Sequence, residues 1–490
     1  MTLGYDNLDR LTQEITPQST VSYTYDAVGR RTSMTVVGQP TVNYAYDNAD
    51  RLTSITQGSA VVSFTYDNAN RRTSLTLPNG LVTEYSYAAA SRLTGLTYKE
   101  GSTTIGTLTY GYNAAGERVQ TGGTWARTGQ PNAMTGATYN AANHQLTFGS
   151  QTLTYDLNGN LTSDGTNTYL WNARNQLVAI NGTSVASFSY DAFGRRAQKT
   201  VDGMTTSFVY DGLTPIQELN GANITNLLTG LSVDEYFTRS NATGTHHVLA
   251  DILGSTVALA NGTGAVDAQY TYEAFGNVSA TGTTNGNPFS YTGREADGTG
   301  LAYYRARYYN PQLQRFVSED PIGFAGEDTN LYSYVFNDPM SSIDPLGLGK
   351  IGATIKIVKR VGHWLRESRF ASMRQAQNTI RRGGDVIAPT KQTARAIAEG
   401  AANKGEKVIH HEAHKKGYRS HYHILGKPGH IFYGAIPGAD LGSMIGRKTG
   451  SRLLGQVVDF FNPLSDVQEL LDFLNSLSER EPEDTGETAP

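Results

Sequence analysis

Hydrophobic and polar positions alternate with a period of two through most of the first 340 residues. Val21-Ser22-Tyr23-Thr24-Tyr25 and Val61-Val62-Ser63-Phe64-Thr65-Tyr66 are examples. This alternation predicts strands with their aromatic residues on one face. The runs end in an aromatic residue, usually Tyr followed by Asp, and a turn residue comes four positions after the aromatic. Tyr25-Asp26-Ala27-Val28-Gly29-Arg30, Tyr46-Asp47-Asn48-Ala49-Asp50-Arg51 and Tyr190-Asp191-Ala192-Phe193-Gly194-Arg195 show the unit. It occurs eleven times, spaced by 20 or 21 residues through the first five copies. Its fifth position reads Asp9, Gly29, Asp50, Asn70, Ser91, Gly116, Asn143, Gly159, Asn175, Gly194 and Gly276. All but Ser91 are Gly, Asn or Asp, the residues that tolerate a left-handed backbone. A type I turn closed by such a residue makes a bulged hairpin. One hairpin alone is marginal in water, so the copies must pair side by side. Between Tyr112 and Trp171 the spacing loosens, which predicts loops or irregular hairpins there.

The pattern changes after residue 348. Gly349–Val361 reads as a connector. From His363 to Arg382, Trp364, Leu365, Phe370, Met373, Ala376 and Ile380 fall near helical spacing, stopped by Gly383-Gly384. Asp385–Ala388, Val408–His411, His421–Leu425 and His430–Ile436 read as strands. Thr390 caps a predicted helix to about Ala402, and Leu441–Phe461 and Ser465–Leu477 are further predicted helices. The expected fold is mainly β: a spiral of antiparallel β-hairpins, followed by a small α+β domain.

Composition sharpens this division. Residues 1–348 carry a net charge of −10, residues 349–458 of +14 and residues 459–490 of −8. A strongly basic block behind an acidic array points to a polyanionic partner, nucleic acid first. The chain has no Cys, which excludes a disulfide framework and a Cys-ligated zinc site. No apolar run is long enough for a membrane span, and no signal peptide is recognisable. The chain opens inside a repeat at Gly4-Tyr5-Asp6 without a capping element, so we expect the C-terminal portion of a longer protein or a truncated gene.

Two constellations carry candidate chemistry. Asp320-Pro321 and Asp344-Pro345 form the first. Two carboxylates brought close share a proton, one serving as base for water while the other donates, and Arg315 is placed to hold one of them charged. Asp-Pro-x-Gly is also a turn formula, so the residues alone leave both readings open. Histidine forms the second: His410, His411, His414, His421, His423 and His430, six of the ten in the chain. Imidazole titrates near neutrality and paired histidines supply both general acid and general base. Ser420-His421-Tyr422-His423 alternates as a strand, which places His421 and His423 on one face. Gly429-His430-Ile431-Phe432-Tyr433 adds a third imidazole and the Tyr433 phenol. Lys415, Lys416, Arg419 and Lys427 supply cations for phosphate. Such a set suits metal-free RNA cleavage through the 2′-hydroxyl. A metal nuclease of HNH type, using Zn or Mg, is the alternative, although His411-Glu412-Ala413-His414 lacks the His-Glu-x-x-His spacing. Gly383-Gly384-Asp385 with Thr390 is a weaker phosphate-binding candidate, and His246-His247 read as packing residues.

The Tyr-Asp units resemble the YD repeats of the Rhs/teneurin family. The 241–348 segment resembles the Rhs-associated core. It contains His246-His247-Val248-Leu249-Ala250-Asp251, Tyr291-Thr292-Gly293-Arg294-Glu295 and Leu301-Ala302-Tyr303-Tyr304-Arg305-Ala306-Arg307-Tyr308-Tyr309-Asn310-Pro311, and it ends in Asp344-Pro345-Leu346-Gly347-Leu348. The resemblance implies three parts: a hairpin array over 1–240, a core over 241–348 that closes a hollow shell, and a variable effector over 349–490 with an acidic tail. It further implies aspartyl-type self-cleavage between Leu348 and Gly349, a secreted or surface-delivered toxin acting in a target-cell cytoplasm, secretion machinery and a cognate immunity protein. No cofactor is expected for the ribonuclease reading. From another functional class, the competing expectation is a cell-surface adhesion or carbohydrate-binding module with an inactive tip.

Overall fold

The computed structural model describes residues 1–349 apart from 90, 115, 127, 130–135, 284, 285 and 327. Beyond them it describes 355–361, 364–371, 385–388, 398, 402, 408–411, 421–424 and 430–433. Twelve antiparallel strands in chain order, from Thr2–Tyr5 to Arg118–Gly122, form a first sheet. A second sheet of fifteen strands runs in chain order from Thr154–Tyr155 to Val278–Gly282, with Thr128–Gly129 added in parallel beside Val266–Glu273. The break between the two falls where the repeat spacing loosens. There the strands shorten, and a small three-stranded sheet spans Thr138–Tyr139 to Gln151–Thr152.

The unit's consensus follows from its turn. All eleven fifth positions have positive φ, from 55° at Asn175 to 92° at Gly29, and Ser91 adopts 59°. The Asp of the unit caps this turn. Asp26 Oδ1 accepts the N–H groups of Val28 at 3.0 Å and Arg30 at 2.9 Å, while Oδ2 takes Arg30 Nε at 2.7 Å. The same set recurs at Asp47/Arg51, Asp67/Arg71 and Asp191/Arg195. The Arg then reaches the next copy: the Arg30 guanidinium lies 4.8 Å from the Tyr46 ring centre. The Tyr reaches back, as Tyr46 Oη donates to the Arg31 carbonyl at 2.9 Å. Where the unit carries this Arg, as in the first five copies, a hairpin is therefore fastened to its neighbour from both directions, beyond the strand ladder itself.

The second sheet tracks the first in order along the chain. Glu14 pairs with Arg195, Arg31 with Asp211, Arg72 with Glu235, and Tyr98 Oη donates to the Ala250 carbonyl. This progression is the relation between successive turns of a spiral. Val21, Tyr44, Ile55 and Leu96 of the first turn share one apolar core with Ile216, Phe237, Leu249 and Ala258 of the second.

Residues 287–348 begin on the face of the second sheet opposite the one that meets the first, since Leu227, Tyr236 and Val248 alternate with Leu228, Phe237 and Leu249. Phe289 joins Leu227, Tyr236, Val248 and Tyr270 in a separate core. A four-stranded sheet, Glu295–Ala296, Ala302–Tyr304, Arg307–Asn310 and Arg315–Phe316, carries the aromatic cluster of Tyr304, Tyr309, Phe316 and Tyr334. Most charged groups buried here are paired, which offsets the cost of desolvation. Asp234 takes both Arg294 and Arg305; burial alone would raise its carboxyl, but the two guanidinium groups outweigh it and hold it below the usual range. Arg196 is buried between Glu295 and Asp297.

Past residue 349 the described strands form a six-stranded sheet in the order 364–371, 355–361, 385–388, 430–433, 421–424, 408–411. The strands expected at 385–388, 408–411, 421–425 and 430–436 are present, two of them shorter at their C-terminal ends. The connector reading fails at Ile355–Val361, which is a strand. So does the helix expected from His363, because Trp364–Ala371 is a strand paired antiparallel with Ile355–Val361. Of the helix expected after Thr390, the Ala402 N–H bond to the Ala398 carbonyl is described. The helices expected at 441–461 and 465–477, and the acidic end, lie outside the described residues.

Candidate self-cleavage site

The strand Arg307–Asn310 sets Arg307 at the centre of the site. Its Nη2 lies 3.0 Å from Asp320 Oδ2 and 3.4 Å from Asp344 Oδ2. Both Asp-Pro carboxylates thus hang on one nitrogen. Arg307 is itself fixed by three further contacts. Nη1 donates to the Leu331 carbonyl at 2.9 Å, Nε donates to the Gly347 carbonyl at 2.5 Å, and the guanidinium lies 3.6 Å from the Phe316 ring centre.

Each carboxylate also has its own backbone frame. Asp320 Oδ1 accepts the Ile322 N–H at 3.0 Å and opens a turn into the 3₁₀ segment Gly323–Gly326. Asp344 is 1% exposed. Its Oδ1 accepts the Leu348 N–H at 3.1 Å and its Oδ2 the Gly349 N–H at 2.9 Å. The chain turns back here because Gly347 has φ 67° and a side chain there would collide with the Tyr304 carbonyl. Arg305, itself at φ 60°, donates to the Pro345 carbonyl and ties the turn to Asp234. The Leu348–Gly349 peptide is therefore presented to Asp344 by a rigid loop.

Burial raises the Asp320 carboxyl to about 6, with Asp344 adding to the rise and Arg307 and the Ile322 N–H opposing it. Burial likewise raises Asp344 against Arg307 and the amides of Gly349, Leu348 and Gly347. A carboxyl pair with raised affinity for a proton, beside a peptide, can supply both the base and the acid of hydrolysis. Asp320 borders a small cavity that also touches Arg307, Gly326, Asn330 and Gly349.

Asp320, Asp344 and Leu348, expected at the boundary, meet here, but the cation beside the carboxylates is Arg307 and not the expected Arg315. Arg315 lies away from the pair. It donates to the Asn143 carbonyl at 2.6 Å and stacks between Tyr139 and Tyr332, and burial lowers its pKa. Arg307 and Gly326 were not singled out. The signal for Arg307 was its place two residues beyond Arg305 in the dense Leu301–Pro311 run. Gly326 carried no signal in sequence.

In the C-terminal sheet, backbone register sets His411 opposite His421 and His423 opposite His430. Opposed residues share a face, as do residues two apart, so these four positions share one face. His410 opposes Tyr422, and Tyr433 lies beside Ala388. His414, Lys415, Lys416, Arg419 and Lys427 lie outside the described residues.

A spiral of Tyr-Asp hairpins ending in a carboxylate-lined boundary defines a YD-repeat shell. The teneurin YD-shell profile matches residues 81–340 and the RHS repeat profile residues 5–41 and 46–82. The chain belongs to the teneurin YD-shell family. It is similar to the tRNA nuclease WapA of Bacillus subtilis (strain 168), 34% identical over 235 residues that cover 43% of this chain and 10% of the relative. It is also similar to the probable deoxyribonuclease RhsA of Dickeya dadantii (strain 3937), 30% identical over 197 residues, 37% of this chain and 14% of the relative. The chain thus spans a tenth to a seventh of the length of these proteins. The crystal structure of TcdB2-TccC3-Cdc42 shares the fold at a TM-score of 0.53 and 21% identity, covering 69% of this chain and 22% of that one. Among the described residues no helix is long and apolar enough to cross a membrane.

Proposed function

We propose that this chain is the shell and cargo of a polymorphic toxin. The shell cleaves its own chain after Leu348, and residues 349–490 are the released effector. The carrying observation is the Gly349 N–H on Asp344 Oδ2, with Asp320 and Asp344 sharing Arg307. An ion pair that served only stability would not need to hold the amide of the next segment. On this reading Asp320 and Asp344 are catalytic residues and Arg307 is the positioning cation.

The effector is a nuclease, with RNA as its favoured substrate. Support comes from its net charge of +14 over residues 349–458, from relatives named as nucleases and from the four histidine positions on one sheet face. His421 and His423, with His411, His414 or His430, act as acid and base. Tyr433 joins them in the chemistry, and Lys415, Lys416, Arg419 and Lys427 bind the phosphate backbone. No cofactor is used. The released domain acts in the cytoplasm of a target cell, and an acidic immunity protein neutralises it. The name of the RhsA relative favours a second reading, a metal-dependent DNase. Inducible cytosolic expression of residues 349–490 separates the two. Degraded RNA with intact DNA, unaffected by chelator, supports the first. Fragmented DNA supports the second, and intact nucleic acid with normal growth rejects both.

A further inference from the structure

The 3₁₀ segment Gly323–Gly326 passes over the Leu348–Gly349 peptide. A Cβ built on Gly326 would lie 3.0 Å from Asp320 Oδ2 and 3.6 Å from the Leu348 carbonyl oxygen. Gly326 also lines the cavity that touches Asp320, Asn330 and Gly349, whose volume of about 20 Å³ suits one water. From the other side, the Gly326 carbonyl and Cα lie 3.6 and 3.7 Å from where a Cβ of Gly349 would stand. Gly326 does not need its glycine for backbone reasons, because its φ is not in the left-handed region, unlike Gly323 at 56°. The space beside its Cα is what glycine provides.

We propose that Gly326 is a positioning residue that keeps one water-sized site open between Asp320 and the Leu348 carbonyl, and that the lytic water of self-cleavage binds there. This rests on the self-cleavage reading and divides the labour of the two carboxylates. Asp320 borders the cavity and takes the proton of the water as its oxygen bonds to the Leu348 carbonyl carbon. Asp344 holds the opposite end, at the Gly349 nitrogen, and enters protonated. As the carbon–nitrogen bond breaks, Asp344 delivers its proton to that nitrogen. One water is consumed, Leu348 ends as a carboxyl group and Gly349 as a free amine. Asp320 leaves the cycle protonated and Asp344 ionised.

The test uses the full chain made by cell-free synthesis, with cleavage followed on denaturing gels and the cut site fixed by mass. Gly326→Ala is expected to slow cleavage at least about 10²-fold, as loss of one partner in an acid–base step does, and Gly326→Val more. Phe324→Ala, exposed on the same turn, is expected to cleave as the wild type does. The pH at which residual Gly326→Ala cleavage falls by half should match the wild type, because the methyl removes space and not charge. A shifted midpoint would mean that Asp320 has been pushed off Arg307, and would overturn the proposal. Wild-type cleavage by Gly326→Ala beside an inert Asp344→Asn would overturn it while sparing the self-cleavage reading. A wild-type chain that stays whole would remove both.

Discussion

Asp344 accepts, through its Oδ2, the N–H of Gly349 at 2.9 Å, five residues further along its own chain. On the proposed self-cleavage, the acid and the bond it serves are parts of one loop. Such a site would have no substrate to bind or release, so its rate would depend on proton inventory and on water.

The first prediction concerns that inventory. Asp344→Asn and Asp320→Asn keep the size of each side chain but cannot pass a proton. Each should slow cleavage by roughly 10²–10⁴-fold and leave a full-length band, whereas the wild type splits at residue 348. Equal splitting in all three chains would refute the mechanism.

The pH dependence follows from Asp320, raised to about 6. The groups facing it are Asp344, which raises it further, and Arg307, which opposes; Asp328 lines the same cavity. Asp320 is the base and must be ionised, so the rate should rise as pH rises through about 6 and fall again where Asp344, also raised by burial, loses its proton. Stability runs the other way. The folded chain keeps a proton that the unfolded chain releases near pH 4, so this contribution is full below pH 4 and lost as pH rises through about 6. A rate flat from pH 5 to 8 would contradict this assignment.

Arg307 and Arg315 should separate cleanly. Arg307→Gln removes the opposing charge from two buried carboxyls, so the alkaline limb should move upward and the fold should lose about 3–5 kcal/mol in denaturant titration. Arg315→Gln should leave that limb in place. The reverse result would return the role to Arg315.

These residues also mark how far the sequence can be read. The eleven turn positions were legible because few residue types tolerate positive φ, and all eleven adopt it. The Asp-Pro pair was legible as a motif. Arg307 was not, because Arg294, Arg305, Arg307 and Arg315 are equivalent by composition. Only the pairing of Arg307–Asn310 with its neighbouring strands decides which one faces the carboxyls. Gly326 acts through a space that exists only after folding. Trp364–Ala371 was misread because short apolar runs fit helix and strand alike, and the partner strand Ile355–Val361 decides between them.

Ser91 offers a test of the turn itself. It adopts φ 59° as the one fifth position that is not Gly, Asn or Asp. Ser91→Gly should raise stability by about 1 kcal/mol, and Asn70→Ala, at φ 62°, should lower it by a similar amount. Denaturant midpoints read both; a destabilised Ser91→Gly would show that the turn is not strained.

A last prediction addresses the effector. Residues 349–458 should bind RNA with a steep salt dependence, since each phosphate contact releases counterions. His421→Ala and His423→Ala should each abolish growth inhibition while leaving that binding intact. Full toxicity in the double variant would remove this histidine face from the chemistry.

The contacts between the two turns of the spiral restrict how such a protein can evolve. Repeats usually lengthen by duplication, because each copy touches only its neighbours. Here Glu14, Arg31 and Arg72 each meet a fixed partner, Arg195, Asp211 and Glu235, on the next turn. Inserting one 21-residue copy after Tyr46 would leave Glu14 and Arg31 in phase but put Arg72 and Tyr98 one hairpin out of step with their partners. The array therefore behaves less like a string of beads than like a thread cut to a given pitch, in which a change of length in one turn must be matched in the other.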